Sequence, residues 1–190
     1  NNQSWYPPKS EELVVISPFL NAESLKTLAK TTTQPRAVIS RVDQMAALDG
    51  GLPPEFQHYY ALHDAAESEE DTELINVRAE KETGLHAKCY VLKKGVNTHF
   101  FIGSANATQP GLKGYNLELL AELRGKHSKV GKPADLINTD DKNGLGSLLV
   151  EYENDNLPDE ADSELKEIEA EIDKAKQMLL QAELELECQK

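Results

Sequence analysis

Apolar residues come in short clusters along the first 125 positions, and their spacing changes from one cluster to the next. Residues 13–16 (Leu-Val-Val-Ile) are an unbroken apolar run stopped by Ser17-Pro18, which predicts a buried strand. Residues 21–29 open on Asn21 as a helix N-cap and continue with helical spacing. Residues 37–40 follow Pro35 and predict another short buried strand. A short helix over 43–48 is closed by Gly50-Gly51. Residues 53–66 read as a helix with Phe56, Tyr59, Tyr60 and Leu62 in or near the core, followed by an acidic loop at 67–71 and a strand at 74–77. A further strand is expected at 117–123, then a long polar loop over 126–146 with one helical turn near Ala134. Strands alternating with helices imply an α/β sandwich on a mixed or largely parallel central sheet flanked by helices.

The pattern changes near residue 150. Leu165, Ile168, Ile172, Ala175, Leu179, Ala182 and Leu186 alternate spacings of three and four, which predicts a long C-terminal helix over 157–189 with one apolar seam. Packing on its own domain, a coiled-coil contact with another chain, and a solvated linker are the three uses open to it. The expected organisation is a linker or cut start over 1–10, one domain over 11–150, and an acidic helix over 151–190. Asn1 in place of Met, followed by Ser4-Trp5-Tyr6-Pro7-Pro8, reads as a cut or processed start.

Charge sharpens that division. The chain carries a net −13. Residues 151–190 hold fourteen acids against four lysines, a net −10, whereas residues 86–132 hold eight bases against Glu118 and Glu122, a net +6. The acidic total therefore does not exclude a nucleic-acid partner, whose binding is largely electrostatic, although a charge run can also be a plain solvated face. No apolar run approaches the eighteen residues of a membrane helix. Two cysteines, Cys89 and Cys188, cannot build a disulfide framework, which fits a reducing, cytoplasmic setting. Cys89 reads as core packing.

Candidate chemistry sits in two places. His86-Ala87-Lys88 precedes the apolar run at 89–92, and Gly103-Ser104-Ala105-Asn106 follows the run at 100–102. Residues two apart on a strand share a face, so paired strands would converge an imidazole, an ammonium, a hydroxyl and an amide. That set suits a phosphate: Lys88, Ser104 and Asn106 donate to its oxygens while His86 attacks phosphorus or moves a proton. His58 and His63, five apart on the expected helix, face different ways. His99 reads as a hairpin-turn residue that could border the site, and His127 as a loop residue. No cluster has metal-ligand spacing, so neither a metal nor a cofactor is expected.

With these residues in view, the chain resembles the phospholipase D superfamily, whose signature is His-x-Lys followed by Gly-Ser-x-Asn. Residues 14–20 (Val-Val-Ile-Ser-Pro-Phe-Leu) resemble the opening strand and loop of a superfamily half-domain, and Asn116-Leu117-Glu118 resembles the Asn-x-Glu on the strand after the second motif. The resemblance covers roughly residues 11 to 125. It implies a phospholipase D-like phosphodiesterase domain with His86, Lys88, Asn106 and Glu118 as catalytic residues and Gly103, Ser104 and Asn116 as substrate-binding ones. Glu118 would orient the His86 ring. The family's mechanism needs no metal: one His attacks phosphorus, and a second, from a facing motif, protonates the leaving oxygen. This chain has a single motif, so the resemblance implies a homodimer, or a second motif in a longer protein. One position departs from the pattern: the family Asp five residues after the Lys is Lys93 here, expected at a strand end facing solvent.

Single-motif chains with a Ser-Pro-Phe opening and Gly-Ser-Ala-Asn resemble nuclease modules of restriction or helicase proteins. The leading expectation is a nuclease, with DNA ahead of RNA as substrate and no membrane involved. A catalytically silent nucleic-acid or phosphate-binding module of a larger protein is the first alternative. A phospholipase or phosphatidyl transferase is the second.

Overall fold

A computed structural model describes residues 4–63 and 85–152. The expected acidic loop at 67–71, the strand at 74–77 and the helix over 157–189 lie outside the described residues. The fold that follows is that of the unit Asn1–Asn154.

Among the described residues seven strands form one sheet: β1 (Ser10–Ile16), β2 (Thr32–Ile39), β3 (His58–Leu62), β4 (Cys89–Lys94), β5 (Asn97–Gly103), β6 (Leu120–Lys126) and β7 (Leu149–Glu151). Their spatial order is β6-β5-β4-β1-β2-β3-β7. β1, β2 and β3 run parallel, β4 to β6 form an antiparallel meander against β1, and β7 closes antiparallel on β3, so the sheet is mixed. β1 sits at the centre, and its apolar run serves two cores. Leu13 and Val15 join Leu25, Leu28 and Tyr90 on one face; Val14 and Ile16 join Ile39, Val91 and Cys89 on the other. A continuous apolar run is what a strand covered on both faces requires.

Helix α1 (Ala22–Ala29) begins where Asn21 accepts a hydrogen bond from the Ser24 N–H, and it buries Leu25 and Leu28. Helix α2 (Val42–Ala46) buries Met45 and gives way to Gly50 and Gly51, both at positive φ. The short helices α3 (Gln109–Leu112), α4 (His127–Val130) and α5 (Pro133–Leu136) follow later in the chain. The helical turn expected near Ala134 is α5.

Four sequence expectations need correction. Residues 58–62 form strand β3 and not part of a helix. Tyr59 and Ala61 enter one core while Tyr60 and Leu62 enter the other, a period of two that a helix cannot supply. β2 starts at Thr32, well before Pro35, because a bulge at Arg36 absorbs the proline: Leu13 pairs with Pro35 and Val14 with Ala37. The strand expected at 117–123 starts at Leu120 and runs to Lys126. Part of the loop expected over 126–146 is helical, and beyond it a 3-10 turn (Leu145–Leu148) leads into β7, whose Val150 pairs with Ala61.

Candidate active site

Four strand ends meet at one edge of the sheet. Because β4 and β5 are antiparallel, Cys89 at the start of β4 faces Ile102 near the end of β5. β6 starts with Leu120 beside Gly103, and β1 ends with Ile16 beside Cys89. The residues just outside those ends are therefore gathered there: His86 and Lys88, Ser104 and Asn106, Asn116 and Glu118, and Ser17.

His86 and Lys88 lie before β4 and not on it. The ladder reaches back only one step, with the Gly103 N–H donating to the Lys88 carbonyl at 3.2 Å. On the other side β1 turns away at Ser17-Pro18, which leaves residues 85–87 no strand to pair with. The Lys88 ammonium donates to the His86 carbonyl at 3.1 Å, so cation and imidazole belong to one small turn. His86 is exposed, and its ring makes no hydrogen bond to any described residue.

The Gly-Ser-x-Asn loop is held much more tightly. Ser104 donates its backbone N–H to the Leu119 carbonyl at 3.0 Å, and its hydroxyl accepts from the Leu119 N–H at 3.0 Å. The same hydroxyl donates to the Glu118 carboxylate in a short hydrogen bond. Asn116 and Glu118 thus precede β6 instead of lying on it, because Ser104 captures the chain before the strand can begin. Among the described residues Glu118 makes no hydrogen bond to His86. Gly103 is needed for this clasp: a Cβ there would stand 1.9 Å from the Leu119 carbonyl oxygen. Deeper in, the Tyr90 hydroxyl donates to the Ala105 carbonyl at 3.0 Å. Burial, reinforced by Glu118, pushes the Tyr90 pKa up and keeps that hydroxyl neutral.

Asn106 is half-buried, and its amide oxygen lies 3.5 Å from the hydroxyl of buried Ser17. That hydroxyl donates to the Phe19 carbonyl at 2.7 Å and accepts from the Ala107 N–H at 2.9 Å. The Asn106 NH2 group is left uncommitted among the described residues. Behind it Gly111 admits the Asn106 backbone, since a Cβ at 111 would meet the Asn106 carbonyl oxygen at 2.6 Å. Ser17, Tyr90 and Gly111 were not singled out from the sequence. Ser17 enters there as a strand stop and as part of the Ser-Pro-Phe opening, and nothing local reveals a contact 89 residues away.

The remaining candidates sit elsewhere. Lys93 is near the opposite end of β4 and away from the site, as expected, and half-buried where it is ion-paired with Glu11 and stands 4.0 Å from Glu12. His99 is a buried residue of β5, not a turn residue, and its Nδ1 meets Glu122 of β6 at 2.7 Å. His58 is on β3, hydrogen-bonded to Glu151 at 2.8 Å. His127 opens α4. Cys89 is a core thiol, which burial pushes up to about 11; Cys188 lies outside the described residues. No helix among the described residues is long and apolar enough to cross a membrane.

A two-faced α/β sandwich that carries His-x-Lys and Gly-Ser-x-Asn at one end of its central strands defines a phospholipase D-type domain. Residues 7–133, well over half the chain, match the family model described as the NgoFVII restriction endonuclease N-terminal PLD domain, and the chain belongs to that family. Its class is therefore that of nuclease-like domains in the phospholipase D superfamily. No curated protein matches it.

Proposed function

We propose that this chain is a metal-independent nuclease acting on DNA, with His86 as nucleophile and a copy of the chain supplying the opposing His. The observation that carries the reading is the meeting of His86 and Lys88 with Ser104 and Asn106 at one sheet edge of a domain in this family. His86 attacks phosphorus, a phosphorus–nitrogen bond forms, and the bond to the leaving oxygen breaks. The partner's His86 gives its proton to that oxygen. Water, deprotonated by the same group, then displaces His86 and releases the phosphate monoester end. Lys88 and the Asn106 NH2 group balance the charge that develops on the non-bridging oxygens. Ser104 and Glu118 fix the loop, and Glu118 turns to the His86 ring once substrate engages Ser104. Asn116 and Gly103 line the approach.

A second motif is called for because one motif supplies one nucleophile and no opposed acid, and general acid catalysis contributes on the order of a hundredfold or more. A copy of this chain is the source in this proposal, and a second motif in a longer protein is the other source. The silent-module alternative draws on Lys93, yet Lys93 is paired with Glu11 at the far end of β4, which supports an intact site. The lipid alternative has no comparable support.

The test is cleavage of end-labelled DNA in EDTA by the wild-type chain and by His86→Ala. The proposal expects cleavage that survives chelation and an acid-labile, base-stable phosphoryl-protein adduct absent from the variant. Equal cleavage by both chains overturns it. DNA binding without cleavage by a confirmed dimer would establish the silent module instead.

A further inference from the structure

Next to the Ser104–Glu118 clasp lies an open hollow of roughly 720 Å³, within the ~300–1,000 Å³ range of small-ligand sites. It is walled by Trp5, Phe101 and Tyr115 and edged by Asn116, Glu118 and Glu122. Trp5 is pinned by its backbone N–H to the Leu112 carbonyl at 2.8 Å, and its ring packs on Tyr90 and Phe101 with centroids 5.2 and 5.4 Å away. Tyr115, 65% exposed, stands at the mouth. One wall is thus an aromatic surface packed into the core and the other an exposed aromatic ring.

The polar edge is one-sided. Glu122 uses one carboxylate oxygen on His99 and Glu118 uses one on Ser104, so each keeps a second oxygen uncommitted among the described residues. Such a pocket repels a phosphate and welcomes a flat ring that carries N–H donors. Adenine and cytosine present an exocyclic amine; thymine presents carbonyl oxygens in the same place. Because the hollow shares Asn116 and Glu118 with the candidate site, a nucleotide whose phosphate lies against Lys88 and Asn106 has its base at this opening.

We propose that the hollow seats one unpaired, amino-bearing nucleobase beside the scissile phosphate, stacked between Trp5 and Tyr115 and read by Glu122. The ligand class rests on the nucleic-acid reading above; the binding itself does not depend on catalysis. A base must leave its stack to enter, so single-stranded or distorted DNA is the form that fits.

Trp5 is the sole tryptophan of the chain, so its emission reports the hollow directly. Titrating the full chain with deoxycytidine, deoxyadenosine and thymidine monophosphates should give saturable quenching, about tenfold weaker for thymidine. Tyr115→Ala, at an exposed position, should weaken binding roughly tenfold, the lower part of the ~1–3 kcal/mol range of one stacking contact. Glu122→Gln keeps an oxygen for His99 and replaces an acceptor by a donor, and should level the preference between cytosine and thymine. Lys93→Met, at the far end of β4, should quench like wild type. Quenching together with an absence of cleavage supports the hollow and overturns the nuclease reading. DNA cleavage with no nucleotide quenching overturns the hollow, as does equal affinity for all three nucleotides. An emission that shifts with protein concentration and ignores nucleotides also overturns it, and assigns the surface to a protein contact.

Discussion

The two ends of β4 carry the same kinds of charge and use them in opposite ways. At the far end Lys93 is clasped by Glu11, Glu12 is shared with Arg36 at 3.3 Å, and the Gly95 N–H donates to Glu11 at 2.9 Å. Glu11, Glu12, Arg36 and Lys93 there each face a complement. At the near end, among the described residues, Lys88 donates to a neutral carbonyl alone and the His86 ring has no hydrogen-bond partner. A cation already neutralised contributes little to a transition state, whereas one held by a carbonyl keeps its charge for an incoming anion. The contrast explains why a Lys at position 93 is tolerable: it serves the closed end, and the open end is where chemistry would occur.

Substitutions can break that contrast at either end. The largest effect is expected from His86→Ala, which should lower cleavage roughly a thousandfold or more while the exposed position leaves the urea midpoint within experimental error. A matching loss of stability would mean that His86 is structural. Lys88→Ala comes next: losing one preorganised donor costs about 2–4 kcal/mol of transition-state stabilisation, read as a fall in kcat/KM. If only KM rises, Lys88 binds substrate without favouring the transition state.

Gly103→Ala addresses the clasp between the two. The added methyl would collide with the Leu119 carbonyl, so β5 and β6 must part and carry Ser104 with them. The expected cost is about 1–3 kcal/mol in urea unfolding, with a parallel loss of cleavage. Unchanged stability would show that the loop can relax. The smallest effect belongs to Lys93→Met, which should leave cleavage untouched and alter only the pH dependence of stability. Hydrogen bonding to Lys93, and then to the Gly95 N–H, holds the Glu11 carboxyl below its usual range, while Glu11 raises Lys93. A depressed carboxyl stabilises the fold above its unfolded value, and that contribution is lost as pH falls through the folded one. The wild-type advantage over Lys93→Met should therefore vanish in acid, below the ordinary carboxylate range, and shrink in salt at neutral pH.

Legibility in the sequence followed the range of the interactions. β1 could be read because a two-sided core writes itself as a local apolar run, and α1 because its cap is three residues from its donor. The candidate site was visible as two motifs whose residue types announce phosphate chemistry. β3 was misread since His58-Tyr59-Tyr60-Ala61-Leu62 has no polar alternation when both faces are covered, and local propensity yields to the sheet that receives it. What positions the motifs was illegible for a different reason. Ser17 with Ala107, Tyr90 with Ala105 and Gly111 with Asn106 are agreements between segments that no local pattern connects.

The central place of β1 also sets an order of events. The β4–β5 hairpin closes through a two-residue turn with Gly95 at φ +57°, a conformation that glycine reaches without strain, and β6 joins its neighbour nearby in sequence. Val15 meets Tyr90 only after a long loop is closed, at an entropic cost the hairpin does not bear. The meander is therefore expected to organise early and β1 to dock late. Ser17, at the tip of β1, completes the support of Asn106 only on docking. A nascent or partly unfolded chain would thus carry both motifs yet lack a finished phosphate cradle, so the capacity to cut would arrive last, with the fold itself acting as the safety catch.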